Sequence, residues 1–376
     1  MSNSSSASVE HKDISSLRLE TARLRRGLTQ AALAKELGIT SRTYRSYEKL
    51  GAPFERRDHL ARILDYPPEF FTVDEELDKI DPSEVEFRAG KRAPNKAKRA
   101  AVAVGRCGLE VDAHIQERFV LPTLDLPDLT DHTPREAARL LRDEWRLGDA
   151  PLPNLIQLCE AHGIRIYGLP PSAYAVDAFC HWSDGTPFIF IARRRTPEGV
   201  RFDIAHELGH LVMHSQSTPQ PEHETEADEF ASEFTTPLTA LAKHIPAYPR
   251  LEDIIRVRTG YRVSAMSVAV AAHRADRMTD STYRRMCTAL GKKGFRTSEP
   301  GGMASYERSR VFDTVLDPRS RGSISERGIA DQLHIPLDDV YALTLSTRLH
   351  AAATNVRLPK TRTSPREDTK LRLVHS

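Results

Sequence analysis

The chain has 376 residues, with 54 Lys and Arg against 52 Asp and Glu for a net charge of +2, which is too long for one ordinary core and implies two or three domains. Cys107, Cys159, Cys180 and Cys287 lack Cys-x-x-Cys spacing, which excludes a disulfide framework and a thiolate zinc site and fits a cytoplasmic protein with free thiols. No apolar run approaches the length of a signal or membrane helix, so neither export nor a membrane partner is expected.

The charge is unevenly spread. Residues 15 to about 63 are rich in Arg and Lys, residues 64–87 are strongly acidic, and Arg88 to Arg106 contains no acid. Such swings point to separate surfaces with separate tasks. The polar start, Met1 to Ser6, predicts disorder through residue 14. Leu17 to Arg26 then reads as a helix, Thr29 to Gly38 as a second with a capping Thr and a closing Gly, and Thr40 to Lys49 as a third. Two short helices joined at Gly38-Ile39-Thr40 form a helix-turn-helix over residues 15–73.

In Leu24, Arg25, Leu28-Thr29-Gln30, Leu33-Ala34, Leu37-Gly38-Ile39 and Tyr47-Glu48 this segment resembles the XRE/Cro-type DNA-binding domain. The resemblance implies that the third helix enters the major groove, with Ser41, Arg42, Thr43 and Arg45 toward base edges and Thr29 and Gln30 on phosphates. One departure is that Glu48-Lys49-Leu50-Gly51 closes the third helix one residue later than the family's Glu-x-Gly. Tyr44 and Tyr47 fit the inward side of this helix better than base stacking. The plain alternative for the block is a helical interaction domain that no longer binds DNA.

Residues 74–130 read as a charged helical linker, with Arg88 to Arg106 a solvated basic stretch rather than a second nucleic-acid surface. Leu152 to His162 looks helical. Ile164 to Tyr167, Ala178 to Trp182 and Phe188 to Ile191 read as short strands separated by Pro170-Pro171 and Asp184-Gly185 turns. The edge of such a sheet can hold an extended substrate by backbone hydrogen bonds, or the sheet can simply cover the helices.

Thr196-Pro197-Glu198 is a helix start, and Phe202, Ala205, Leu208, Leu211 and Val212 give the segment an apolar face. On that helix His206 and His210 stand four residues apart on one side, able to share a zinc ion, with Glu207 beside the open coordination position. Catalytic zinc takes a third protein ligand. Met213 and Gln216 exclude a His-x-x-Gly-x-x-His extension, which leaves a carboxylate on the acidic helix from Glu222 to Ala231. Glu224 lies at the edge of that helix's inward face, with His223 and Glu226 as alternatives. His214 is either a spare ligand or, more simply, a solvent-facing residue, and Asp203 and Glu222 read as surface charge.

His206 to His210, followed by Glu224-Thr225-Glu226-Ala227-Asp228-Glu229-Phe230-Ala231 and Pro237, resembles the ImmA/IrrE metallopeptidases. Carried over by position, the resemblance makes Glu224 the third ligand of one zinc per chain. It places Asp228, where the family usually has Asn, within reach of a ligand histidine. Phe234-Thr235-Thr236-Pro237 is more polar than the family's usual helix end. The peptidase-like unit is read as residues 131–245, followed by a helical region over 246–353 and a basic disordered tail over 354–376. Ser325 to Leu343 has the spacing of a further helix-turn-helix, for which a plain helical hairpin is the simpler reading.

The expected fold is α+β and mainly helical: an all-α helix-turn-helix domain, a zincin-like domain with a small sheet, and a helical C-terminal region. The expected function is that of a zinc endopeptidase with Glu207 as general base. By resemblance its substrate is a helix-turn-helix repressor in a stress or mobile-element response. Double-stranded DNA is the other expected partner, and a homodimer is compatible with the sequence. The rival is a DNA-binding regulator whose peptidase-like domain senses without cutting, or one half of a toxin–antitoxin or phage-immunity pair.

Overall fold

The computed structural model describes residues 13–73, 77, 80–81, 85, 87–89, 94–173, 175–215, 218–346 and 372–373. Most of the expected disorder at residues 1–14 and 354–376, and Asp74, Glu75, Glu76, Asp78, Glu84 and Glu86 of the acidic run, lie outside these residues.

The N-terminal helices are α1 (Ser16–Arg25), α2 (Gln30–Glu36), α3 (Ser41–Leu50) and α4 (Arg57–Leu64). Side-chain caps start the first three: Ser15, Thr29 and Thr40 accept from the backbone N–H groups of Arg18, Ala32 and Thr43. Leu19, Ala22, Leu33, Leu37, Tyr44, Leu60 and Leu64 pack between them. The additional residue at the end of α3 leaves Leu50 82 % exposed, and Gly51 caps the helix.

The segment expected to be a solvated linker contains a buried helix. After β1 (Phe87–Ala89), α5 (Asn95–Gln116) is apolar on nearly all sides, with Ala100 through Leu109 buried, Arg106 included. A helix with no polar face belongs in a core. One side of α5 carries α1 and another carries the sheet. The contact with the sheet is close: a methyl on Gly108 would stand 2.6 Å from Phe190 Cε1 and 3.2 Å from Leu343 Cδ2. Phe190 itself stacks on Phe179 at 4.7 Å and has no room to yield. Gly108→Leu is therefore expected to cost about 3 kcal/mol, the upper end of overpacking penalties, read as a lower urea midpoint.

After β2 (Phe119–Val120), α6 (Pro134–Glu144) and α7 (Leu155–Ala161), the chain forms β3 (Arg165–Leu169), β4 (Val176–Ser183) and β5 (Thr186–Ala192). The sheet order is β1-β4-β5-β3, with β4 and β5 an antiparallel hairpin and β3 parallel to β5. β1 pairs antiparallel with β4, so the edges of the sheet are β1 and β3.

Two long helices follow, α8 (Pro197–Met213) against β4 and β5, and α9 (Pro221–Thr235) against α8. The helices α10 (Leu238–His244), α11 (Leu251–Tyr261), α12 (Ala265–Arg274) and α13 (Asp280–Lys292) enclose a smaller separate core around Leu241, Ile254, Val268 and Leu290. The C-terminal region is thus not one unit. Its later helices, α14 (Arg310–Val315), α15 (Glu326–Leu333) and α16 (Leu337–Leu343), return to the main core, where α16 lies on β3 and α15 on α5. The helix pair from Ser325 onward is a packed hairpin. Arg372–Leu373 forms β6, paired with β2.

Buried ion pairs tie these parts together. Arg18 of α1 donates to Glu110 of α5 at 2.6 Å, and Arg106 of α5 reaches back to Glu20 and Thr21 of α1, each at 3.1 Å. Arg25 of α1 pairs with Asp339 of α16 through Nε at 2.9 Å and through a second, shorter contact. The helix-turn-helix is joined to the rest through its first helix, which leaves α3 outward.

Candidate metal centre

α8 begins where the sequence predicts, with Thr196 accepting from Gly199 N and Pro197 in the first turn. From Ile204 to Met213 every residue is buried. Its N-terminal half is held by a segment that sequence reasoning did not connect to it. Glu198 accepts from Met303 N at 2.6 Å, Arg201 pairs with Glu307, and Arg258 bridges toward Glu299 at 3.0 Å. These residues are buried charges far apart in sequence, and no local pattern marks their pairing. Asp203, expected at the surface, is 1 % exposed and lies 3.7 Å from Arg195 Nε. Glu222 is exposed.

Helical spacing brings His206 and His210 together with their Nε2 atoms 3.0 Å apart. Glu224 of α9 faces both, Oε2 at 3.7 Å from His206 Nε2 and Oε1 at 3.6 Å from His210 Nε2. Close packing of α8 on α9 makes this possible: a Cβ at Gly209 would stand 3.0 Å from Phe230 Cδ1. Donor atoms of a four-coordinate zinc with bonds of about 2.0–2.1 Å lie about 3.3 Å from one another. The observed triangle brackets that separation, and two imidazole nitrogens with one carboxylate are a donor set zinc accepts. His206, His210 and Glu224 can therefore hold such an ion.

Glu207 is 0 % exposed, buried immediately beside His206. Asp228 stands 3.0 Å from His206 Nδ1 through Oδ1, on the ring nitrogen away from the ligand triangle. His214 does not face solvent. Its side chain is 7 % exposed, its Nδ1 lies 3.1 Å from His210 Nδ1, and its Nε2 lies 2.8 Å from Glu226 Oε2. Burial pushes its pKa down to about 4, against the pull of Glu226 and helped by His210 and His223. His223 and Glu226, the alternative third ligands, are thus grouped with His214 and not with the pair at His206 and His210.

In the helix-turn-helix, Arg42, Thr43 and Arg45 are exposed on α3 and Ser41 is half-buried at its start. Tyr44 is fully buried and Tyr47 half-buried. Thr29 is an exposed cap, while the Gln30 amide is turned inward and donates to Glu48 Oε2 at 2.6 Å. Glu48 also accepts from Arg23 Nη2 at 3.0 Å and from Tyr44 Oη at 2.8 Å, so one carboxylate joins α1, α2 and α3. Burial and that carboxylate raise the Tyr44 phenol pKa, which keeps it a donor.

Two family models match the chain. One describes an IrrE N-terminal-like domain and covers residues 159–273; the other describes a helix-turn-helix and covers residues 19–53. No curated protein matches. Among the described residues no helix is long and apolar enough to cross a membrane. The first match runs from α7 through α12 and contains the histidine helix, and the second spans α1 to α3. The chain therefore joins an XRE-type helix-turn-helix domain to an IrrE-like domain of the metallopeptidase kind.

Proposed function

We propose that the protein is a zinc-dependent endopeptidase that regulates transcription, with His206, His210 and Glu224 holding the metal and Glu207 acting as general base. The observation that carries this reading is the convergence of two Nε2 atoms and one carboxylate beside a buried glutamate. Zinc held there supplies a Lewis acid that polarises the scissile carbonyl and acidifies water. Glu207 takes the proton of the attacking water and passes it to the leaving amine. Asp228 keeps His206 in the tautomer whose Nε2 lone pair faces the ligand triangle. The substrate is a protein, and the family resemblance favours a helix-turn-helix repressor of a stress or mobile-element response.

The outward face of α3 supports DNA binding by this same chain, through Arg42, Thr43 and Arg45. Arg42→Ala and Arg45→Ala are each expected to weaken binding to duplexes selected from a random pool by about 1–3 kcal/mol where the side chain reads a base. Fluorescence anisotropy gives that loss, and an unchanged thermal transition shows that the fold survives.

The test of the peptidase is a comparison of new protein N-termini in cells carrying wild type or Glu207→Gln, with zinc content measured on both purified proteins. Termini that vanish in a zinc-loaded mutant establish the activity and name the substrate. Identical termini with DNA binding intact would replace it with a non-cleaving regulator.

A further inference from the structure

His214 and Glu226 lie outside the ligand triangle, yet their geometry fixes the state of a residue inside it. An ionised carboxylate only accepts hydrogen bonds, so the 2.8 Å contact from Glu226 Oε2 puts the proton of a neutral His214 on Nε2. His214 Nδ1 is then an acceptor. It faces His210 Nδ1 at 3.1 Å, which must therefore carry the other proton. This leaves His210 Nε2 as a lone pair, pointed at His206 Nε2 and Glu224.

We propose that His214 and Glu226 form a positioning relay for His210, a counterpart to the direct Asp228 contact on His206. The inference rests on the zinc reading of His206, His210 and Glu224. His223 supports the relay sterically: its ring stacks on His214 with centroids 3.9 Å apart and planes 9° apart, which holds the plane of the bridging imidazole. Helix α9 thus supplies a ligand, both terminal carboxylates and the stacking ring, all between His223 and Asp228. The two outer contacts favour in each ligand histidine the tautomer that leaves Nε2 as the donor atom for a metal, so the relay acts on zinc affinity as well as on turnover.

Zinc affinity of the full chain, measured by competition with a chromophoric chelator, tests the relay. His214→Leu and Glu226→Gln are expected to weaken zinc binding about 10–100-fold, as loss of an outer-sphere partner does. His214→Asn, whose amide oxygen can accept from His210 Nδ1, is expected to recover most of that loss, which a purely structural role would not produce. Glu226 is half-exposed, so its variant folds, and a thermal melt on each protein verifies this. Unchanged affinity in both His214→Leu and Glu226→Gln overturns the relay. So does a wild type that binds two zinc ions per chain and loses one in His223→Ala, since His214, His223 and Glu226 would then be a second metal site. His206→Asn separates this inference from the reading beneath it. If wild type and His206→Asn bind zinc equally poorly, the metal centre itself is refuted and the relay with it.

Discussion

Glu207→Gln is expected to lower the rate of peptide hydrolysis by a factor on the order of 10²–10⁴, the usual contribution of a positioned acid–base group, while the protein keeps its zinc. The size of the effect follows from what the substitution leaves alone. Glutamine fills the same volume at a position that is 0 % exposed, and His206, His210 and Glu224 remain in place. The charge and the ability to take a proton are removed while the shape is kept. Single-turnover cleavage of the substrate identified from its new N-termini gives the rate, and elemental analysis gives the zinc. A mutant that loses metal along with turnover would place Glu207 in the ligand set and not in proton transfer.

The second large effect concerns a residue outside the candidate metal centre. Arg25→Ala is expected to destabilise the whole protein by about 3–5 kcal/mol, because it strands Asp339, itself 2 % exposed, as a buried charge without its guanidinium. Arg25 also donates to Ser172 Oγ at 2.5 Å, so three separate parts of the chain lose a common tie. Replacing both members of the pair, as Arg25→Met with Asp339→Leu, should cost much less than Arg25→Ala alone, since no charge is then left behind. Urea unfolding of the three proteins measures this. A loosely tethered helix-turn-helix would show a loss below about 1 kcal/mol, as exposed pairs do.

How far the sequence could be read depended on how local each signal was. His206 and His210 lie one helical turn apart, and caps and apolar spacing identify their helix without any tertiary knowledge. Glu224 is harder: spacing leaves it level with His223 and Glu226, and it takes the resemblance, and then the packing of α9 on α8, to set it apart. Strands β3 to β5 follow from short apolar runs between turn residues, but β1 is three residues long and owes its pairing to β4. Apart from Arg106, Ala100 through Leu109 is apolar all round, a pattern that fits a core helix, and the basic residues before it are what suggested solvent. The pairing of Arg25 with Asp339 has no such signal. The two are 314 residues apart, and one long surface-type side chain resembles another until the fold buries it.

With α5 held between α1 and the sheet, the outward helix α3 and the histidine pair keep one bearing toward each other. Under the proposed function, two copies on a twofold operator would share that symmetry, and the spacing of half-sites would set the distance between their candidate metal centres. For a protein that cleaves as proposed, selection among neighbouring proteins would become a matter of reach along the duplex, and moving one half-site by a few base pairs would change that reach without altering a single residue of the chain.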